Sequence, residues 1–135
     1  MLYLTPEQVE QIHDVEVCGE GGLRGADHGR LKSAVLRCQA APFGQDQFPT
    51  VHDKAAALMI GITRAHAFTG GNKRAAVLAT HVFYDINGYE LVAEADQAVG
   101  LTLMVAQHLA PDDHTHRLVV ECLSTWAQPH KYDGD

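Results

Sequence analysis

Two apolar stretches of helical character, joined by the short segment from His66 to Arg74, constrain the fold of this chain more than any other feature. Before the segment, residues 51–65 are apolar on nearly every side, which predicts a buried central helix. After it, apolar residues recur at helical spacing until Asn87 and Gly88, a pair that typically ends a helix. This second stripe consists of Ala75, Leu78, Ala79, Val82, Phe83 and Ile86. We therefore expect two central helices that meet at the segment.

Shorter patterns predict further helices on both sides of this pair. Thr5 to Gln8 form a capping box with proline at the first helical position, so a first helix should run to about Cys18. Asp27 is suited to cap a second helix. Two more are predicted, one over residues 94–108 and one that opens at Pro111. The residues of the former that are predicted to face inward are Val99, Leu103, Met104 and Ala106. The prediction is a single all-α domain of about six helices over residues 1–135, with a frayed polar tail at 129–135.

Composition argues against several classes of function. The chain carries 10 basic and 17 acidic residues, for a net charge of -7, which disfavours direct binding to a nucleic-acid backbone. Its longest apolar run, Ala55 to Ile62, is too short to cross a membrane. None of the nine histidines lies at a recognised metal-binding spacing. We expect a cytoplasmic protein that contacts neither nucleic acid nor membrane directly.

The segment itself has the chemistry of an anion site. A helix that starts near Gly71 presents unpaired N–H groups and the positive end of its dipole, and Lys73 and Arg74 add two cations. His66, placed by its spacing on the core-facing side of the central helix, carries an imidazole that can accept a proton. Arg64 is expected to lie near the same junction, where two roles stay open: it adds charge to the site, or it forms a surface ion pair. An ordinary helix-initiating turn beside a packed histidine could have the same sequence. Residue spacing alone therefore leaves open whether the segment is an anion site or a structural turn.

The segment also resembles the signature of the Fic/Doc superfamily, which reads roughly H-x-F-x-[DE]-G-N-[GK]-R. The matching residues are His66, Phe68, Gly71, Asn72, Lys73 and Arg74. A lysine before the arginine is typical of the Doc branch, the death-on-curing toxins of toxin–antitoxin modules. Similar landmarks extend over nearly the whole chain, among them Thr5 to Gln8, His13-Asp14, Gly21 to Leu23 and Asn87-Gly88.

This resemblance implies a kinase that uses ATP and Mg²⁺ to phosphorylate a threonine of a translation factor similar to elongation factor Tu. His66 would then be the catalytic base. The residues implied in holding phosphates are Gly71, Asn72, Lys73, Arg74, Arg64 and Thr69. Phe68 and Gly70 would shape the loop. The resemblance also implies an antitoxin partner that supplies an inhibitory helix.

Gly70 departs from the family pattern, because the family has an acidic residue there to hold magnesium. Glycine provides no side-chain ligand, so no metal ligand is assigned, and Mg²⁺ would be carried weakly on the phosphates of ATP. Two alternatives therefore stay open beside the kinase. One is a Fic-type AMP transferase, and the other is a catalytically impaired relative that binds a nucleotide or an antitoxin.

Overall fold

The fold was analysed in a computed structural model that describes residues 1–131. Within these residues the chain forms six α-helices, two short 3-10 turns (Arg37–Gln39 and Pro42–Gly44) and one two-stranded sheet. The helices are α1 (Pro6–Cys18), α2 (His28–Leu36), α3 (Val51–Ala65), α4 (Asn72–Ile86), α5 (Ala95–Ala106) and α6 (Asp112–Trp126). The strands are β1 (Tyr89–Leu91) and β2 (Ala127–Pro129). The predicted all-α fold of about six helices is confirmed.

Side-chain caps fix where the first three helices begin. In α1 the Thr5 hydroxyl accepts from the Gln8 N–H at 3.1 Å, and the Gln8 side chain accepts from the Thr5 N–H at 2.9 Å. Asp27 caps α2 by accepting from the Arg30 N–H at 3.1 Å. Each such cap stabilises its helix by about 1 kcal/mol. Both predicted caps are confirmed.

Helix α3 lies at the centre of the fold and packs against α2, α4, α5 and α6. Ala55, Ala56 and Met59 are fully buried, as expected for a helix that is apolar on most sides. A Cβ atom on Gly61 would lie 2.9 Å from the Ala34 carbonyl oxygen, so the backbones of α2 and α3 approach each other closely. None of the helices in residues 1–131 has the length and apolar character needed to cross a membrane.

The buried face of α5 differs in part from the predicted one, although Met104 packs against the core as predicted. Ala98, Leu101 and Val105 face the core, whereas Val99 and Leu103 are 37% and 44% exposed. The physical reason is that α5 is apolar on most of its circumference, so the periodicity of the sequence does not single out one face.

The end of the chain is ordered further than predicted. Tyr89 pairs with Pro129 in an antiparallel ladder, and the His130 N–H donates to the Gly88 carbonyl at 2.9 Å. These backbone hydrogen bonds, which a polar composition does not reveal, correct the predicted fraying at residues 129 and 130. The remainder of that prediction, over residues 132–135, lies outside the described residues.

Candidate active site

The motif loop, residues 66–71, joins α3 to α4 through two residues with left-handed backbone. His66 ends α3 with φ 49°, and Gly71 precedes α4 with φ 78°. A Cβ on Gly71 would lie 3.0 Å from the Val17 side chain. Both this close approach and the left-handed backbone favour glycine at this position. The His66 side chain is exposed, and the prediction that it faces the core is wrong. Its backbone leaves the helical spiral, so helical spacing no longer indicates its direction.

Helix α4 begins without a side-chain cap at Gly71. The N–H groups of its first turn therefore remain available to a ligand, at the positive end of the helix dipole. The Asn72 side chain is not available in the same way, because it holds the loop. Asn72 Oδ1 accepts from the Phe68 N–H at 3.1 Å, and Asn72 Nδ2 donates to the Phe68 carbonyl at 3.0 Å.

A buried histidine supports the motif loop from beneath. The His13 ring stacks on the Phe68 ring with centroids 3.8 Å apart and planes 6° from parallel. His13 Nε2 lies 2.6 Å from the Gly70 carbonyl oxygen, and Nδ1 lies 3.0 Å from the Asp14 carboxylate. Both ring nitrogens thus face oxygen acceptors. His13 holds the backbone of Gly70 at a fixed distance from α1.

Asp14 completes this support. Burial raises the pKa of its carboxyl, but hydrogen bonds from His13 and from the Gly25 N–H, the latter at 3.1 Å, outweigh burial and leave the pKa below its ordinary value. The carboxylate therefore stays charged at neutral pH and fixes the orientation of the His13 ring.

Sequence reasoning assigned His13 and Asp14 no role, although a signal was present. His13 lies between Val9 and Val17 at intervals of four residues, and all three are buried on one face of α1. A histidine within an apolar helical stripe must find partners for its ring nitrogens, because an unpaired buried polar group is costly.

The structure separates the three predicted cations. Arg74 pairs with Glu20 and, at 3.8 Å, with Glu16, so its guanidinium is already engaged. Lys73 is half-buried and forms no salt bridge with any of residues 1–131. Arg64 turns to the other side of α3, where it donates to the Val105 carbonyl at 3.2 Å and to Asp112 at 2.8 Å. Of the two predicted roles for Arg64, its position supports the ion pair and not the phosphate site, because the pairing with Asp112 directs it towards α6.

Thr69 and Gly70 are exposed at the tip of the loop. Nothing lies within 4 Å of the position that a Cβ on Gly70 would occupy, so a larger side chain fits there without a clash. Beside the loop is a concave surface that encloses a volume of about 360 Å³. Its lining includes Glu20, Gly70, Gly71 and Arg74. Among residues 1–131, no three His, Cys, Asp or Glu side chains converge as a metal site would require.

Comparison with known proteins agrees with this geometry. The sequence model of the Fic/DOC family matches residues 3–84, which is more than half of the chain. The chain belongs to the Fic/DOC family. It is 43% identical over 94 residues to Toxin Doc of Mycolicibacterium smegmatis, covering 70% of this chain and 71% of that protein. It is 28% identical over 107 residues to Protein kinase doc of Escherichia phage P1, covering 78% and 83% respectively. The predicted relationship to the Doc branch of the Fic/Doc superfamily is confirmed.

Proposed function

We propose that this chain is a Doc-like toxin that transfers the terminal phosphate of ATP to a threonine of a translation factor of the elongation factor Tu type. The observation that carries the proposal is the motif loop, which has the exposed His66 at one end and the uncapped start of α4 at the other. The names of the two relatives, Toxin Doc and Protein kinase doc, support the same chemistry. Its effect would be to arrest translation in the cytoplasm.

In the proposed transfer, the threonine Oγ bonds to the terminal phosphorus while the bond from that phosphorus to the bridging oxygen breaks and ADP leaves. His66 accepts the hydroxyl proton. The N–H groups of Gly71, Asn72 and Lys73, with the Lys73 ammonium, stabilise negative charge on the phosphate oxygens. Arg74 joins them after it is released from Glu16 and Glu20.

Magnesium has little support from the protein side chains at this loop. Gly70 supplies no carboxylate, and the described residues contain no cluster of three candidate ligands. An ion that arrives with ATP can keep several waters and use phosphate oxygens, with help from the Thr69 hydroxyl. When bound, magnesium would offset the negative charge of the phosphates. None of the roles proposed for the protein residues depends on it.

Two rival functions compete with the kinase. A Fic-type AMP transferase is disfavoured because Lys73 stands where that branch has glycine and Val77 stands where it has a second arginine. A catalytically impaired relative is favoured by Gly70 and by the pairing of Arg74 with Glu20. The mass added to a target protein distinguishes these functions: the kinase adds a phosphate, the transferase adds AMP, and the impaired relative adds neither.

We also propose an antitoxin that places an amphipathic helix in the apolar groove between α1 and α4. This groove, of about 670 Å³, is lined on α1 by Ile12 and Val15 and on α4 by Leu78, Val82 and Ile86. Glu16 lines the groove and pairs with Arg74 at 3.8 Å, so an occupant that extends past Glu16 would approach the start of α4. Glu16 at the edge of the groove suits a helix with basic flanks.

The decisive experiment is incubation of the purified chain with elongation factor Tu, ATP and magnesium, followed by the intact mass of the target. The variants are His66→Ala, Gly70→Asp and, as a matched control, the exposed His114→Ala. One added phosphate that is lost only in His66→Ala supports the kinase. An AMP-sized gain supports the rival transferase. Modification by Gly70→Asp alone identifies the natural chain as impaired, and no modification by any variant overturns the proposed target.

A further inference from the structure

A third concave surface, which we term the arginine groove, lies between α2 and α3. It has a volume of about 690 Å³ and is lined among others by Arg30, Ser33, Arg37, Ile60, Arg64 and Asp112. Among the described residues, none of 66–74 contributes to its lining, so it is distinct from the motif loop. Its size falls within the range of small-molecule sites, about 300–1,000 Å³.

Three guanidinium groups face this groove against one carboxylate. Asp112 accepts from Arg64 Nη1 at 2.8 Å, but its own side chain is 85% exposed, so water weakens the pairing. Arg30 lies at the rim and pairs with Asp27 at 3.6 Å. The chain has a net charge of -7, yet three of its ten basic residues lie around this one groove.

The two inner arginines have hydrogen-bonding capacity that the protein does not use. Arg64 Nη2 is buried and has no hydrogen-bond partner among residues 1–131. Arg37 makes a long contact of 3.4 Å to the Ala57 carbonyl and lies 5.0 Å above the centre of the Phe48 ring. It forms no salt bridge with a described residue. Arg37 and Arg64 line the same groove, and burial, together with the positive charge of Arg64, lowers the pKa of Arg37.

Buried donors without partners and neighbouring like charges are both unfavourable, and an oxyanion between them relieves both. We propose that the arginine groove is a second anion site, in which Arg37 and Arg64 bind the phosphate or carboxylate group of a small ligand. Arg30 guides the anion at the rim, and Ser33 offers a hydroxyl donor. Ile60 provides an apolar wall for the rest of the ligand. This site is independent of the proposed kinase activity, since it uses no residue of the motif loop.

The test is a titration of the full chain at low ionic strength with pyrophosphate and, separately, with succinate, followed by amide NMR and calorimetry. We expect saturable shifts at the Ser33 and Gly61 amides with at least one of the two anions. Arg37→Gln and Arg64→Gln should weaken this binding by about tenfold or more. Comparison of the two anions distinguishes a phosphate ligand from a carboxylate ligand.

Matched variants decide where the anion binds. Lys32→Gln removes a charge from α2 outside the groove, and Lys73→Gln removes one from the first turn of α4, beside the motif loop. Neither should change the Ser33 and Gly61 shifts. Shifts confined to residues 70–74 and lost in Lys73→Gln, equal loss in Lys32→Gln, or no saturable binding would each overturn the proposal. Because Arg64 also bonds to Val105, its variant is checked by thermal unfolding. If folded Arg37→Gln and Arg30→Gln bind like wild type, the proposal also fails.

Discussion

At the residue scale, the motif loop depends on side chains that the motif does not contain. His13 fixes the Gly70 carbonyl, Asp14 orients His13, and Glu20 engages Arg74. The sequence predicted the availability of the α4 N-terminus, because its glycine and cations lie within one turn. It could not predict the pairing of Arg74 with Glu20, because contacts between residues so far apart in the chain depend on the packing of α1 against α4.

We predict that His13→Ala destabilises the fold by about 2–4 kcal/mol, because it leaves a cavity under Phe68 and unpaired oxygens on Asp14 and Gly70. Urea unfolding measures the loss, and hydrogen exchange of the Gly70 and Gly71 amides should accelerate. His13→Gln, which can still donate to the Gly70 carbonyl, should restore part of the protection. As a control, the exposed His28→Ala should change the free energy of unfolding by less than about 0.5 kcal/mol. If His13→Ala unfolds like this control, the supporting role is wrong.

At the scale of helices, the starts were predictable and one buried face was not. The caps at Thr5 and Asp27 are local, since they need only residues three positions apart. The orientation of α5 is set by its neighbours, because an apolar residue on any side of that helix satisfies the sequence pattern equally well. The direction of the His66 side chain could not be predicted from helical spacing either, since one left-handed residue at the end of α3 turns this side chain from the core to solvent.

The start of α3 gives a pH-dependent prediction. Burial raises the pKa of Asp53, but hydrogen bonds from Thr50 and His116 outweigh it, so the pKa lies below the ordinary value of 3.8. The folded state therefore favours the carboxylate. Its stabilisation is complete above the ordinary pKa and is lost as the pH falls through the lower folded pKa.

Asp53 belongs to the capping box of α3, in which its carboxylate accepts from the Thr50 hydroxyl at 2.8 Å. Asp53→Asn should accordingly lower the free energy of unfolding by about 1 kcal/mol near neutral pH, where this carboxylate is charged. The difference from wild type should narrow as the pH falls below 3.8. Urea unfolding of both proteins over a series of pH values measures this. Asp113→Asn, which removes an exposed carboxylate from the first turn of α6, should show a much smaller difference. A gap that is constant with pH would show that charge is not the cause.

At the scale of the whole molecule, α1 connects the two surfaces on which the proposed function depends. One face of α1 carries His13 and Val17 beneath the motif loop, and the next carries Ile12 and Val15 along the groove with α4. Val15 is 72% exposed although it is apolar, and Leu2, which lines the same groove, is 61% exposed. Exposed apolar side chains that line one groove are typical of a binding surface.

Val15→Glu should therefore abolish capture of the antitoxin without changing the fold, because it places a charge in the centre of an apolar contact. The measurement is co-expression with the product of the adjacent reading frame, followed by co-purification on a tag and thermal unfolding of the chain alone. Val99→Glu makes the same change at a half-exposed position on α5, outside the groove, and should leave capture intact. Equal capture by Val15→Glu would place the antitoxin elsewhere. Loss of capture with unchanged phosphotransfer would show that the groove face of α1 serves antitoxin binding and is not needed for catalysis.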